Sequence, residues 1–292
     1  MKKILVALSM FFISSLVFAE NIVITSIQPL YSLTSYIVKG TDIKVHSAFG
    51  SDTSMTMSRD AIREESFDIS IAKKAQAVID IAKIWHEDVI FSKARTNNIN
   101  IIEIDASFPH DDKVSPLFFT DFSNGKTNYY VWLSNKNLVR MINIIAKDLV
   151  RIYPKNKNKI EKNVNEFTAN LLEEENKVNE ALLDVNSSEV ISLSENLHYF
   201  LNDLNIFFEY AKAEDINAEN VEKLIKQKDV KVIVSDRYLK KNVIKAIKDA
   251  GAEFVVINTL DIPIDLEEKM DADAILKNYR ANTTALIEAL SK

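Results

Sequence analysis

Cysteine is absent from all 292 residues of this chain. That excludes disulfide frameworks, thiolate zinc sites, thiol nucleophiles and iron–sulfur ligation, and with them a lipoprotein anchor, which needs a cysteine to acylate. Glycine and proline are scarce, at 4 and 5, so there is no collagenous repeat, proline-rich linker or glycine-rich phosphate loop. No Gly-x-Ser-x-Gly elbow and no His-Glu-x-x-His helix occurs, and the paired carboxylates Glu64-Glu65 and Asp111-Asp112 fall in charged runs that read as solvated surface. The chain is therefore not read as an enzyme. Positive charge is not in excess: the net charge of −6 gives no general attraction to nucleic acid or to an anionic membrane. Beyond residue 18 no apolar run approaches the ~20 residues that cross a bilayer.

What is present is an ordinary globular composition, 47% hydrophobic and 27% charged, in a length that suits about two domains. The first nineteen residues stand apart. Lys2 and Lys3 form a basic start, Ile4 to Phe18 are almost unbroken apolar, and Val17-Phe18-Ala19 places small residues where a signal peptidase reads. Cleavage after Ala19 is expected, giving a periplasmic protein that is neither lipid-anchored nor inserted in the membrane. Loss of the two lysines takes the net charge from −6 to −8.

Periodicity then gives strands alternating with helices, twice over. Asn21–Ser26 is a β-branched run, Leu30–Val38 has helical spacing and Asp42–Ala48 is a second strand. Phe67–Ala72 reads as a third strand, Ala75–Trp85 as a helix and Ile99–Ile104 as a further strand, followed by a loop over Phe108–Thr127. From Trp132 to Ile152, residues Leu138, Met141, Ile142, Ile145, Leu149 and Ile152 make one helical stripe. Lys155–Leu183 has neither Gly nor Pro, is rich in Lys, Glu and Asn, and predicts one long solvent-facing helix. The pattern restarts with a strand at Val190–Leu193, a helix over Glu195–Asp203, a segment Val221–Lys226, a strand Val230–Ser235, a helix Lys241–Ala250, a strand Glu253–Ile257 and a last helix Asp273–Leu290. The prediction is an α/β protein: two similar α/β lobes, 20–153 and 186–292, joined by one long helix within 154–185, with the ligand cleft between lobes.

Three segments in this order, Ile24-Thr25-Ser26-Ile27-Gln28-Pro29-Leu30, Tyr130-Val131-Trp132-Leu133-Ser134 and Val230-Lys231-Val232-Ile233-Val234-Ser235-Asp236, resemble the zinc and manganese solute-binding proteins of bacterial ABC importers. The resemblance covers nearly all of the chain after residue 19. It implies a two-lobed binding protein that delivers a small solute to an ABC permease in the inner membrane, and a monomer is expected. The family's metal sits on three His and one Asp or Glu. Matched segment by segment, Gly50-Ser51-Asp52-Thr53-Ser54 puts Ser54 where the first His stands in Gly-x-Asp-Pro-His. Asn128-Tyr129-Tyr130-Val131-Trp132-Leu133 puts Tyr130 at the second, in Asp-Pro-His-x-Trp-Leu. Ser194-Glu195-Asn196-Leu197-His198-Tyr199-Phe200 puts Ser194 at the third. For the acidic ligand, in Val-x-x-Leu-Asp-Pro-Leu, the resemblance of Val255-Val256-Ile257-Asn258-Thr259-Leu260 gives Asn258.

Two hydroxyls, a phenol and an amide are neutral hydrogen-bonding groups. They suit a polar organic solute or a metal already wrapped in a chelator better than bare Zn²⁺ or Mn²⁺. Candidate substitute metal ligands stand nearby: His198 one helical turn after Ser194, Glu195, and the thioethers of Met55 and Met57, which suit Cu(I). Tyr129 and Tyr130 are candidate phenolates for Fe³⁺, although lining a pocket is the commoner use of tyrosine. His110-Asp111-Asp112 reads as an exposed turn, and His46 and His86 occupy ordinary positions at element ends. The expected function is thus presentation of a metal, metal chelate or other small polar solute to a permease. The alternative is a degenerate binding protein that has lost metal binding and acts as a periplasmic interaction module.

Overall fold

The computed structural model describes residues 20–50, 53–55, 57, 60, 69–261 and 271–292. The expected leader, residues 1–19, lies outside them. In the first lobe, strands β1 (Asn21–Thr25), β2 (Ile43–Ser47), β3 (Ala77–Asp80) and β4 (Ile102–Asp105) form a parallel sheet in the order β2-β1-β3-β4. Helix α1 (Gln28–Ile37) crosses between β1 and β2; α2 (Ile69–Ala72) precedes β3, and α3 (Ile90–Arg95) connects β3 to β4. The 18-residue helix α4 (Asn135–Ile152) closes the lobe, with Ser134 as N-cap accepting a hydrogen bond from the Asn137 N–H. Of its expected stripe, Leu138, Met141, Ile142, Ile145 and Leu149 are buried, and Ile152, at the last turn, is half-buried.

The second lobe repeats the plan. Strands β5 (Glu189–Ser192), β6 (Phe207–Tyr210), β7 (Val232–Ser235) and β8 (Glu253–Val256) are parallel in the order β6-β5-β7-β8. Helices α6 (His198–Asp203), α7 (Val221–Lys228), α8 (Lys241–Asp249) and α9 (Ala274–Leu290) accompany them. Helix α8 stops where Gly251 takes φ +81°, which lets the Gly251 and Ala252 N–H groups turn back onto the Lys248 and Ile247 carbonyls. In both sheets the strand order reverses about its central pair, and such switch points open a crevice at the C-terminal strand ends.

The long helix is α5 (Lys157–Leu182), and it touches both lobes. Its buried Asn163 donates to the Ile37 and Lys39 carbonyls, covering the otherwise open end of α1. Phe167 packs edge-on against Tyr36 at 5.2 Å, and Glu174 pairs with Arg280 of α9 at 2.9 Å. Among the described residues no helix is long and apolar enough to cross a membrane.

The structure corrects three local expectations. Ala75–Trp85, read as a helix, contains strand β3, and Ile69–Ala72, read as part of a strand, is a helical turn; Phe67 and Asp68 lie outside the described residues. A central parallel strand is covered on both faces, so its short apolar run carries no period to distinguish it from a buried helix. Strand β6 was not foreseen: it is a sheet edge with Phe207 and Tyr210 exposed, and lacks the alternation that marks a half-buried strand.

Candidate functional site

The C-terminal ends of the central strands converge on the segment before α4. There Asn128, fully buried, receives the Tyr130 N–H on its side-chain oxygen at 3.0 Å and donates its amide to the Glu195 carbonyl of the second lobe at 3.0 Å. Tyr130 is thereby fixed at the lobe boundary. Its ring stacks on Tyr129 at 4.9 Å and lies 5.2 Å from Trp132, while Tyr129 also meets Trp85 at 5.7 Å, so one aromatic wall comes from the first lobe. Trp132 donates its indole N–H to the Thr259 carbonyl at 2.7 Å, clamping that wall to the loop after β8.

The opposing wall is acidic. The Tyr130 hydroxyl donates to Asp261 Oδ2 at 3.5 Å, and Asp261 Oδ1 is buried with no hydrogen-bond partner among the described residues. Leu260, just before it, has φ +61°, a left-handed conformation that turns the chain here. The Asp261 carbonyl accepts the Met55 N–H at 3.1 Å, which brings the Ser54 loop to the same place. From the end of β7, Asp236 holds Asn196 at 2.7 Å and Arg237 at 3.3 Å.

Burial sets the protonation of this cluster. It raises the Tyr130 phenol far above its ordinary range, and the Asp261 charge adds to the effect, so Tyr130 is a neutral donor rather than a phenolate. Burial, then the charge of Asp236, raises Asp261; Tyr130 and Arg237 oppose the shift. Two acids, a neutral phenol and an under-satisfied carboxylate oxygen make a site that attracts positive charge or hydrogen-bond donors.

The structure sorts the expected site residues. Tyr130 lies in the cluster, and Ser54 joins it through its neighbour Met55. Ser194, buried, accepts the Asn196 N–H at 3.3 Å and starts the turn into α6; Asn196 in turn holds Asp236. Asn258 is exposed: its side-chain oxygen takes the Leu260 N–H at 2.8 Å, and its carbonyl receives the amides of Asn278 and Asn282. It shapes the loop, and Asp261 is the residue facing Tyr130. The signal for Asp261 was in the sequence, since the Leu-Asp pair of the family pattern stands at Leu260-Asp261. Asp236 had no such signal.

The candidate substitute ligands have the following surroundings. His198 packs edge-on against Phe208 at 5.0 Å, and burial lowers its pKa. Glu195 receives the Ser123 N–H at 3.0 Å, Met55 is buried in the core and Met57 is 57% exposed. His86 meets the Ala82 carbonyl, His46 is on β2 and His110 is exposed. Among the described residues no three His, Asp or Glu side chains are grouped to hold a metal.

Two parallel-sheet α/β lobes joined by a long helix define a two-lobed architecture. The family model for the zinc-uptake complex component A, periplasmic (ZnuA), matches residues 23–289, and the chain belongs to that family. Among solved structures it is similar to the metal-dependent lipoprotein YcdH from Bacillus subtilis, at 19% identity and TM-score 0.68 over 93% of this chain and 100% of that one. It is likewise similar to an FpvC mutant from Pseudomonas aeruginosa, at 17% and 0.71 over 92% and 98%. A Cd-bound periplasmic metal binding protein from Candidatus Liberibacter asiaticus gives 17% and 0.67 over 92% and 99%. No curated protein matches.

Proposed function

We propose that this chain is the solute-binding component of a metal-type ABC importer, and that its solute is a metal chelate or another small polar solute with a positively charged or hydrogen-bond-donating face. The observation that carries this is Asp261: one carboxylate oxygen on the Tyr130 hydroxyl, the other buried without a hydrogen-bond partner among the described residues, with Asp236 as a second acid and no imidazole in the cluster. A bare divalent ion needs about four protein donors, imidazole or thiolate among them for zinc. A metal that brings its own ligands needs only complementary charge and hydrogen bonds. Residues 1–19 are taken as an export signal cleaved after Ala19, so that the mature protein meets its permease in the periplasm. The lobes are taken as 20–153 and 186–292, with the linker 154–185 between them.

Native mass spectrometry with elemental analysis of the untagged protein tests this. The expected result is a metal or metal-plus-organic adduct that is lost in Asp261→Asn. Protein that carries nothing, and whose melting temperature responds to no metal or chelate tried, would remove the reading. The direct hydrogen bonds across the cleft favour a second one, an interaction module that no longer opens for solute. Gene deletion that leaves uptake of every tested metal and chelate unchanged would select it.

A further inference from the structure

Away from the cleft, α4 and α5 splay apart over a groove of about 970 Å³ that the transport reading does not use. Its floor is apolar, from Val139 and Val150 of α4 and Leu171 and Leu172 of α5, with Leu172 54% exposed. The α4 side is cationic: Lys136, Arg140, Lys147 and Arg151 recur at intervals of four and seven residues, a single stripe about 22 Å long. Lys113 and Lys157 add charge at the margins, and Glu161 and Glu175 are the acids lining the groove. The net charge of the whole chain is −6, so this concentration of cations runs against its average. Lys147 and Arg151 share Asp111, Arg151 also meets Asp148, and Arg140 lies 4.8 Å over the Phe118 ring. Lys147 and Arg151 are 46% and 51% exposed, and such surface pairs exchange readily for an incoming carboxylate.

We propose that this groove docks an acidic amphipathic helix of a partner polypeptide. Charge distribution selects that occupant. A lipid or fatty acid carries its negative charge at one end, whereas the cations here are spread along the trough. A nucleic acid or polyphosphate would match the charge but not the apolar floor. A helix with Leu on one face and Glu flanking it at four- and seven-residue spacing answers both, lying beside α4 and α5 as a third helix.

The test uses the full-length mature chain and a fluorescein-labelled peptide of about 18 residues made of Leu, Glu and Ala with the Leu and Glu segregated, read by fluorescence polarisation. Binding should weaken with salt and fall about tenfold or more in the double variant Lys136→Glu, Arg140→Glu and in Leu172→Glu. It should be unchanged in Lys245→Glu, on the remote helix α8, and weak for a scrambled peptide of the same composition. Circular dichroism and melting temperature confirm that each variant folds. Equal binding of the scrambled peptide, an equal loss in Lys245→Glu, or no binding at millimolar peptide would overturn the proposal. So would anionic phosphatidylglycerol vesicles binding with the same variant sensitivity while the peptide does not.

Discussion

Asp80 is a buried acid and Asp261 a half-buried one, and their surroundings differ. Asp261 has Tyr130 on one oxygen, and the other is buried with no hydrogen-bond partner among the described residues. Because the cluster has no imidazole, Zn²⁺ calorimetry on chelator-stripped protein should give a flat or weak isotherm, and the pair Ser54→His with Tyr130→His should gain affinity at least about tenfold. A tight stoichiometric isotherm for the parent would contradict this. Asp80 ends β3 at 0% exposure, and neither oxygen has a hydrogen-bond partner among the described residues. Burial, then the charges of Asp88 and Asp105, push its pKa well above the carboxylate range. Asp88 instead has the Ser26 hydroxyl at 2.5 Å, and Asp105 has the Lys83 N–H at 2.7 Å. An acid whose folded pKa is raised keeps its proton while the unfolded chain loses it. Stability therefore falls as pH rises between the two values, by up to about 1.4 kcal/mol per pH unit for each proton kept. Urea unfolding at pH 5 and pH 8 should show that fall, and Asp80→Asn should flatten it.

Helix α6 is only six residues long, yet it carries a contact that fixes the lobe boundary. The Tyr199 hydroxyl donates to the Asn128 carbonyl at 3.0 Å and accepts the Thr120 N–H at 3.0 Å, so one buried phenol supports the segment that ends in Tyr130. Tyr199→Phe keeps the ring and leaves both backbone groups short of a partner, at a cost of about 2 kcal/mol. Chemical denaturation measures it; a loss below a few tenths would mean that water replaces the hydroxyl. Helices α4 and α5 were legible because their apolar positions recur over many turns without Gly or Pro. Strand β3 was not, since Ala77-Val78-Ile79 is apolar on both faces and only pairing with β1 and β4 makes it a strand.

For the whole molecule, the lobes are held from behind by α5 and in front by direct hydrogen bonds. Asn128 reaches the Glu195 carbonyl, Trp132 the Thr259 carbonyl, and Ser134 the Asp203 carboxylate at 2.9 Å. Domain closure about such a frame should be local. X-ray scattering with and without a saturating solute should differ by less than about 1 Å in radius of gyration; a larger compaction would place a hinge where the structure has a continuous helix.

The sequence by itself determined the two-lobed α/β plan, the long helix, the family resemblance and the absence of histidine from the four positions that the resemblance matches to the family's metal ligands. These are properties of local order: periodicity, spacing and residue type are read within a few turns of chain. Tertiary structure decided which acid faces Tyr130, because residues 130, 236 and 261 meet only through the strand order of the second sheet and the left-handed turn at Leu260. It also decided the fate of His198. On a helix that ring stands one turn from Ser194, and the unforeseen edge strand β6 supplies Phe208, on which the imidazole packs edge-on. Contacts between distant segments depend on how sheets are ordered, and no local pattern records that order.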